Sequence, residues 1–163
     1  MQHGATREIF ARPLSAEAFA PYGDVVEAPV QPGRAYFETS IENLRPNASP
    51  KLWMLTKLPA APLPLEFTAL ERHRFSSQSF VPIEIGRWLV VVAPHGAQGR
   101  PALDQVEAFL ARPTQGVSYR PDVWHGALTV FDKPARLNVF MWLDGTAGDE
   151  EIVPVPPFVV RER

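Results

Sequence analysis

The chain has 163 residues, 45% of them hydrophobic and 21% charged, with a formal net charge of -2. This length fits one domain able to bury its own core, the composition is that of a globular rather than a disordered chain, and the net charge gives no long-range pull toward nucleic acid or anionic membranes. There is no cysteine, so disulfides and thiolate metal sites are excluded as well.

The opening residues, Met1 to Glu8, lack the apolar core of a secretory signal. The longest strongly apolar stretch, Trp88 to Pro94, falls far short of the roughly 20 residues that span a bilayer. A soluble, cytoplasmic chain is therefore expected. Asn47-Ala48-Ser49 matches a glycosylation sequon by chance, with Pro50 directly after it. The 18 prolines and 10 glycines are scattered between short apolar runs, the punctuation of many short strands.

In chain order, Ser15 caps a brief helix over Ala16 to Ala20, which Pro21 and Gly23 end. Asp24 to Glu27 opens a strand. Lys51 to Leu58 is apolar on both faces, as in a strand covered on each side. Leu63 to Glu71, Gln78 to Pro82 and Arg87 to Ala93 follow, Trp88 to Val92 having the clearest β composition. Asp104 to Leu110 is compatible with helix or strand. Val117 to Tyr119 and Ala127 to Phe131 read as strands joined across a turn at Pro121. Arg136 to Leu143 adds another, and Pro154 to Val160 reads as an extended tail over the barrel. The expected fold is all-β, a sandwich or barrel with few short helices.

Two segments concentrate chemistry-bearing side chains: Leu70 to Pro82, and Gln115 to His125. Gln78, Phe80 and Pro82 share a strand face by alternation. His73 lies across the short Phe75-Ser76-Ser77 connection, so an imidazole and an amide converge if the two strands are neighbours. Tyr119 and His125 flank a turn, which brings a second imidazole toward the same cavity. Each also has a structural reading: His73 as a hydrogen-bonded core residue, His125 as a turn closure, Trp124 as packing, and Arg72 or Arg74 as solvated charges. His95 and His3 are expected on an exposed turn and a loose terminus.

The blocks Leu70-Glu71-Arg72-His73, Gln78-Ser79-Phe80-Val81-Pro82, Gln115-Gly116-Val117-Ser118-Tyr119 and Val123-Trp124-His125 resemble the ureidoglycolate lyase family in order and spacing. Pro13-Leu14-Ser15, Ala18-Phe19, Pro21 to Val25 and Val90 to Ala93 are similar too. The resemblance implies a cupin-like β-barrel, a double-stranded β-helix, forming one domain over 1–163. It also implies a homodimer that releases urea from ureidoglycolate to leave glyoxylate, late in allantoin and purine catabolism. Some family members are associated with a divalent metal such as nickel. The chain departs from the family pattern at Arg120, where a His is common, at Gly126, where a second His is common, and at Met141-Trp142-Leu143-Asp144, where an Asp-Arg pair often stands.

Cleavage of that substrate needs a base for its hydroxyl and an acid for departing urea. His73, His125 and Tyr119 are the candidate catalytic residues, since an unperturbed imidazole titrates near pH 6.5. Arg72 or Arg120 would grip the carboxylate, Gln78 the urea group, while Phe80 and Trp124 shut out water. His73, Gln78 and His125 form a possible metal set. Gln in place of Glu, and Phe75 in place of the second His of a His-x-His pair, argue against tight binding. The alternatives are a non-catalytic barrel that binds a small carboxylate, a lyase acting on another hydroxy acid or amide, and an iron-dependent oxygenase or isomerase.

Overall fold

A computed structural model describes residues 6–163. Among them are strands β1 (Arg7–Pro13), β2 (Gly23–Val26), β3 (Ser49–Lys57), β4 (Leu65–His73), β5 (Gln78–Glu84) and β6 (Trp88–Ala93). Strands β7 (Glu107–Ala111), β8 (Gly116–Tyr119), β9 (Trp124–His125), β10 (Thr129–Val130), β11 (Ala135–Leu143) and β12 (Glu150–Glu162) follow. The one α-helix among the described residues, α1 (Ala16–Phe19), starts as expected, with the Ser15 hydroxyl accepting from the Ala18 N–H at 3.2 Å.

The strands form two sheets. One runs β10-β6-β7-β1-β12-β4-β9 and closes on itself because β9 also pairs with β6; the other runs β2-β8-β5-β11-β3. All six strands of the closed ring contribute to one apolar cluster, including Leu70, Val91, Trp124 and Phe158. A second cluster, with Phe80, Val90, Val117, Leu137 and Met141, fills the space between the ring and the second sheet. Alternation along each strand feeds both cores: Val90 and Val92 face the second sheet, whereas Leu89 and Val91 face into the ring. Each fully buried Leu, Val or Phe of this kind contributes roughly 1.5–3 kcal/mol.

The all-β, cupin-like barrel is the architecture expected from the sequence, with several local corrections. Residues 104–110 split into a short 3-10 turn at Leu103–Gln105 and strand β7. Val117–Tyr119 and the residues after Pro121 do not form a hairpin; the chain crosses there from the second sheet to the ring. The expected tail is β12, an internal strand between β1 and β4, whose backbone groups are taken up on both sides. Strand β3 is covered on one face only: Trp53 and Leu55 pack inward, while Leu52 is 67% and Met54 61% exposed. His95 is exposed, as expected, with Nε2 bonded to the Asp122 carbonyl, and His3 lies outside the described residues. No helix among the described residues is long and apolar enough to cross a membrane.

Candidate functional site

Two rows of side chains face one another across the space between the sheets. On the ring, Glu71 and His73 share a face of β4 because they are two residues apart, and His125 of β9 stands directly opposite Glu71 in the antiparallel register. On the second sheet, Gln78 of β5 is flanked by Tyr119 of β8 and Met141 of β11. The short turn over residues 74–77 delivers Gln78 back beside His73, as the sequence led one to expect.

The contacts are close. The Gln78 Nε2 atom lies 3.1 Å from His73 Nε2 and 3.4 Å from the Met141 sulfur. The Tyr119 ring stacks on His125 with centroids 4.3 Å apart and planes 14° from parallel. His125 Nδ1 donates to the Val123 carbonyl at 2.9 Å, since a carbonyl only accepts. Its Nε2 is thereby turned toward Glu71 Oε1 at 3.3 Å. The carboxylate of Asp149 lies behind His73, with Oδ2 3.4 Å from Nδ1. His125 is 2% exposed and Tyr119 4%, so these groups act in a poorly hydrated setting.

That setting moves their proton equilibria. The His125 ring beside Glu71 holds its carboxyl below the usual carboxylate range, outweighing burial. Burial, and after it the neighbouring His125, push His73 below the ordinary histidine value. Burial, reinforced by the Glu71 charge, raises the Tyr119 phenol, which stays protonated at neutral pH and serves as a hydrogen-bond donor.

Several expected site residues lie elsewhere. Arg72 alternates with Glu71 and His73, so it leaves from the opposite face of β4. There its guanidinium donates to Glu151 at 2.6 and 2.9 Å, pairs with Asp122 at 2.9 Å and sits 4.4 Å from the Trp124 ring centre. Trp124 belongs to the core of the ring. Arg120 reaches back to the Ala20 carbonyl at 2.8 Å. Phe80 packs edge-on beneath Tyr119 and closes the floor of the site without opening to it. The expected carboxylate grip by Arg72 or Arg120, and the water exclusion by Trp124, are thus corrected: Arg72 and Trp124 alternate away from the cluster along β4 and β9, and Arg120 is spent on the Ala20 carbonyl.

The departures from the family pattern lie outside the cluster too. Trp142 alternates with Met141 along β11 and so leaves from the other face, while Arg120, just past the end of β8, is bonded to the Ala20 carbonyl. A Cβ on Gly126 would stand 3.1 Å from both Phe67 and Val91, on the core side of the ring.

Glu71 was within the recognised block without an assigned role, although its two-residue offset from His73 was a readable signal. Asp149 and Met141 had no such signal, because they reach the site only through sheet pairing. Glu71, His73 and His125 each offer a ligand atom, all within 4.8 Å of one another, and His125 Nε2 is buried without a hydrogen-bond partner. Two imidazoles and a carboxylate with free positions suit a divalent transition metal. This set, with Glu71 in place of Gln78, fits such an ion better than the one expected from sequence.

Residues 6–160 match the family model described as ureidoglycolate lyase. A ureidoglycolate lyase of Mesorhizobium japonicum is 39% identical over 135 residues, covering 77% of this chain and 80% of the relative. The ureidoglycolate lyase of Schizosaccharomyces pombe is 29% identical, covering 88% and 89%. Among solved structures, a dTDP sugar isomerase of Desulfovibrio desulfuricans aligns with a TM-score of 0.48 at 19% identity, covering 81% of this chain and 82% of that one. The extent of the family match and the relatives' identities place this chain in the ureidoglycolate lyase family.

Proposed function

We propose that this protein is a carbon–nitrogen lyase that releases urea from ureidoglycolate and leaves glyoxylate. The observation that carries the reading is the meeting of Glu71, His73, His125, Gln78 and Tyr119 in one buried cluster of a chain from this family.

In the substrate, one carbon bears a hydroxyl, a carboxylate and a ureido nitrogen. The hydroxyl proton leaves as the carbon–nitrogen bond breaks, the hydroxyl oxygen becomes the aldehyde oxygen, and the nitrogen gains a proton. His73 is the base: its lowered proton affinity keeps Nε2 unprotonated, and the substrate hydroxyl displaces the Gln78 N–H that its lone pair accepts here. His125, whose Nε2 is the ring nitrogen left facing the site beside Glu71, is the acid that completes urea. Gln78 meets the urea group with the far end of its amide, whose Oε1 is buried and unpaired. Tyr119 donates to a substrate oxygen and, by stacking, holds the His125 ring in place.

A second reading rests on the ligand geometry. A divalent ion held by Glu71, His73 and His125 would supply positive charge for the substrate's carboxylate and hydroxyl oxygens, a charge that neither Arg72 nor Arg120 provides at this position. In that form the imidazoles are ligands, and Gln78 and Tyr119 are left to orient the urea group.

The test is release of urea and glyoxylate from ureidoglycolate by the purified protein, compared with His125→Ala. Turnover that the substitution abolishes is the expected result. A folded wild type that shows none, with or without added nickel or manganese, overturns the reading. It then leaves the non-catalytic carboxylate binder as the better account.

The proposal extends to a single domain acting in the cytoplasm in allantoin catabolism, as a homodimer. Support for the dimer comes from β3, which pairs with β11 alone among the described residues and presents Leu52 and Met54 beside an open edge.

A further inference from the structure

We propose that Asp149 is a positioning residue of this site, setting both the tautomer of His73 and the placement of Gln78. The inference rests on the lyase reading for its kinetic consequence but on geometry alone for its structural one.

Asp149 precedes β12 and is 4% exposed. Its Oδ1 accepts the backbone N–H groups of Phe75 at 2.8 Å and Ser76 at 3.2 Å, the turn that joins His73 to Gln78. Its own carbonyl accepts the Arg74 N–H at 2.8 Å, so the same residue ties that turn twice. Arg45, whose guanidinium pairs with Asp144 at 2.8 Å, lies 3.9 Å from Oδ1 on the far side. Oδ2 is buried without a hydrogen-bond partner and lies 3.4 Å from His73 Nδ1.

The ring is therefore read from both ends. A carboxylate only accepts, so closing this 3.4 Å gap into a hydrogen bond requires the proton on the His73 nitrogen facing Asp149. The Gln78 amide nitrogen only donates, so the other ring nitrogen, 3.1 Å away, is the acceptor. Both ends demand the same tautomer, Nδ1–H with a free pair on Nε2. With an accepting oxygen toward His73, Gln78 would instead face a ring nitrogen that bears no proton. One side chain thus fixes the direction of the His73 lone pair and anchors the turn that sets its distance from Gln78.

Asp149→Asn separates these duties. The asparagine oxygen can still accept from Phe75 and Ser76, while its NH2 faces His73 and demands a bare Nδ1. Nitrogen-15 imidazole spectra of metal-free protein at pH 8 should show the Nδ1–H tautomer of His73 in the wild type and Nε2–H in the variant. With ureidoglycolate, kcat should fall at least about tenfold, the lower range for loss of a group that orients an active-site ligand, with KM changed less than about threefold. An Nε2–H tautomer in the wild type overturns the proposal, as does a variant with unchanged ring spectra and unchanged kcat. Absence of turnover in the wild type counts against the lyase reading only, because the spectra decide the role of Asp149 independently. If Asp149→Asn does not fold, the wild-type spectrum alone remains decisive.

Discussion

Across the β4–β9 pair, His125 Nε2 faces a Glu71 carboxylate oxygen at 3.3 Å, while Nδ1 of the same ring is spent on the Val123 carbonyl at 2.9 Å. Only one nitrogen of His125 is thus available for chemistry, and it faces the Glu71 carboxylate. Loss of His125 as acid should lower kcat on ureidoglycolate by about 100-fold or more, the usual range for a general acid or base. Glu71→Gln should lower it by a smaller factor, because the ring stays held by Val123 and Tyr119. Steady-state kinetics on both variants check this, and a fully active Glu71→Gln protein would remove the dyad from the mechanism.

The buried position of His73 makes stability depend on pH. Its folded-state proton affinity is below the unfolded one, so in the window below about 6.5 the unfolded chain binds more protons. This contribution is complete above the unfolded value and shrinks as pH falls toward the lower, folded one. Metal-free protein should accordingly melt at lower temperature at pH 5 than at pH 7.5, with a shallower dependence in His73→Gln. Melting curves of equal pH slope would refute the assignment.

The ligand set Glu71, His73 and His125 can be tested apart from catalysis. Titration of nickel or manganese into chelator-treated protein should show one site per chain and a raised melting temperature, since an ion that binds only the folded state stabilises it. Glu71→Gln should weaken that binding more than Gln78→Ala does. Equal weakening would restore Gln78 as the ligand expected from sequence.

Gly126 sits in tight quarters. A side chain there would begin 3.1 Å from Phe67 and Val91, within a packed core. Gly126→His should destabilise the fold by about 1–3 kcal/mol, the usual cost of overpacking, measured by denaturant unfolding. KM should hardly change in the fraction that folds, because position 126 faces away from His73. A variant of unchanged stability and altered KM would mean that this position reaches the site.

Strand β3 offers Leu52 and Met54 to solvent beside an open sheet edge. Charges on that strand are a standard way to block edge-to-edge pairing. Light scattering should find a dimer for the wild type and a monomer for the Leu52→Glu, Met54→Glu double variant. A double variant that remains dimeric would move the interface elsewhere.

Alternation and punctuation were enough to read most strands. Gln78 and Phe80 fall on one face, Trp88 to Val92 is a buried strand, and Ser15 caps the one helix, all from local chemistry that tertiary packing did not override. The pairing of His73 with Gln78 was legible too, because only a short turn separates them. The site role expected of Arg72 is not legible from the block Glu71-Arg72-His73, because a strand sends adjacent side chains to opposite faces.

Sequence alone thus established an all-β chain with two imidazoles and an amide near the ends of short strands. Which strands become neighbours was settled in three dimensions, by long-range register. That register sets His125 opposite Glu71, brings Met141 beside Gln78 and carries Asp149 behind His73. The physical reason is that a strand's period dictates which residues share a face, while the partner they meet depends on sheet order, and distant segments carry no local trace of it.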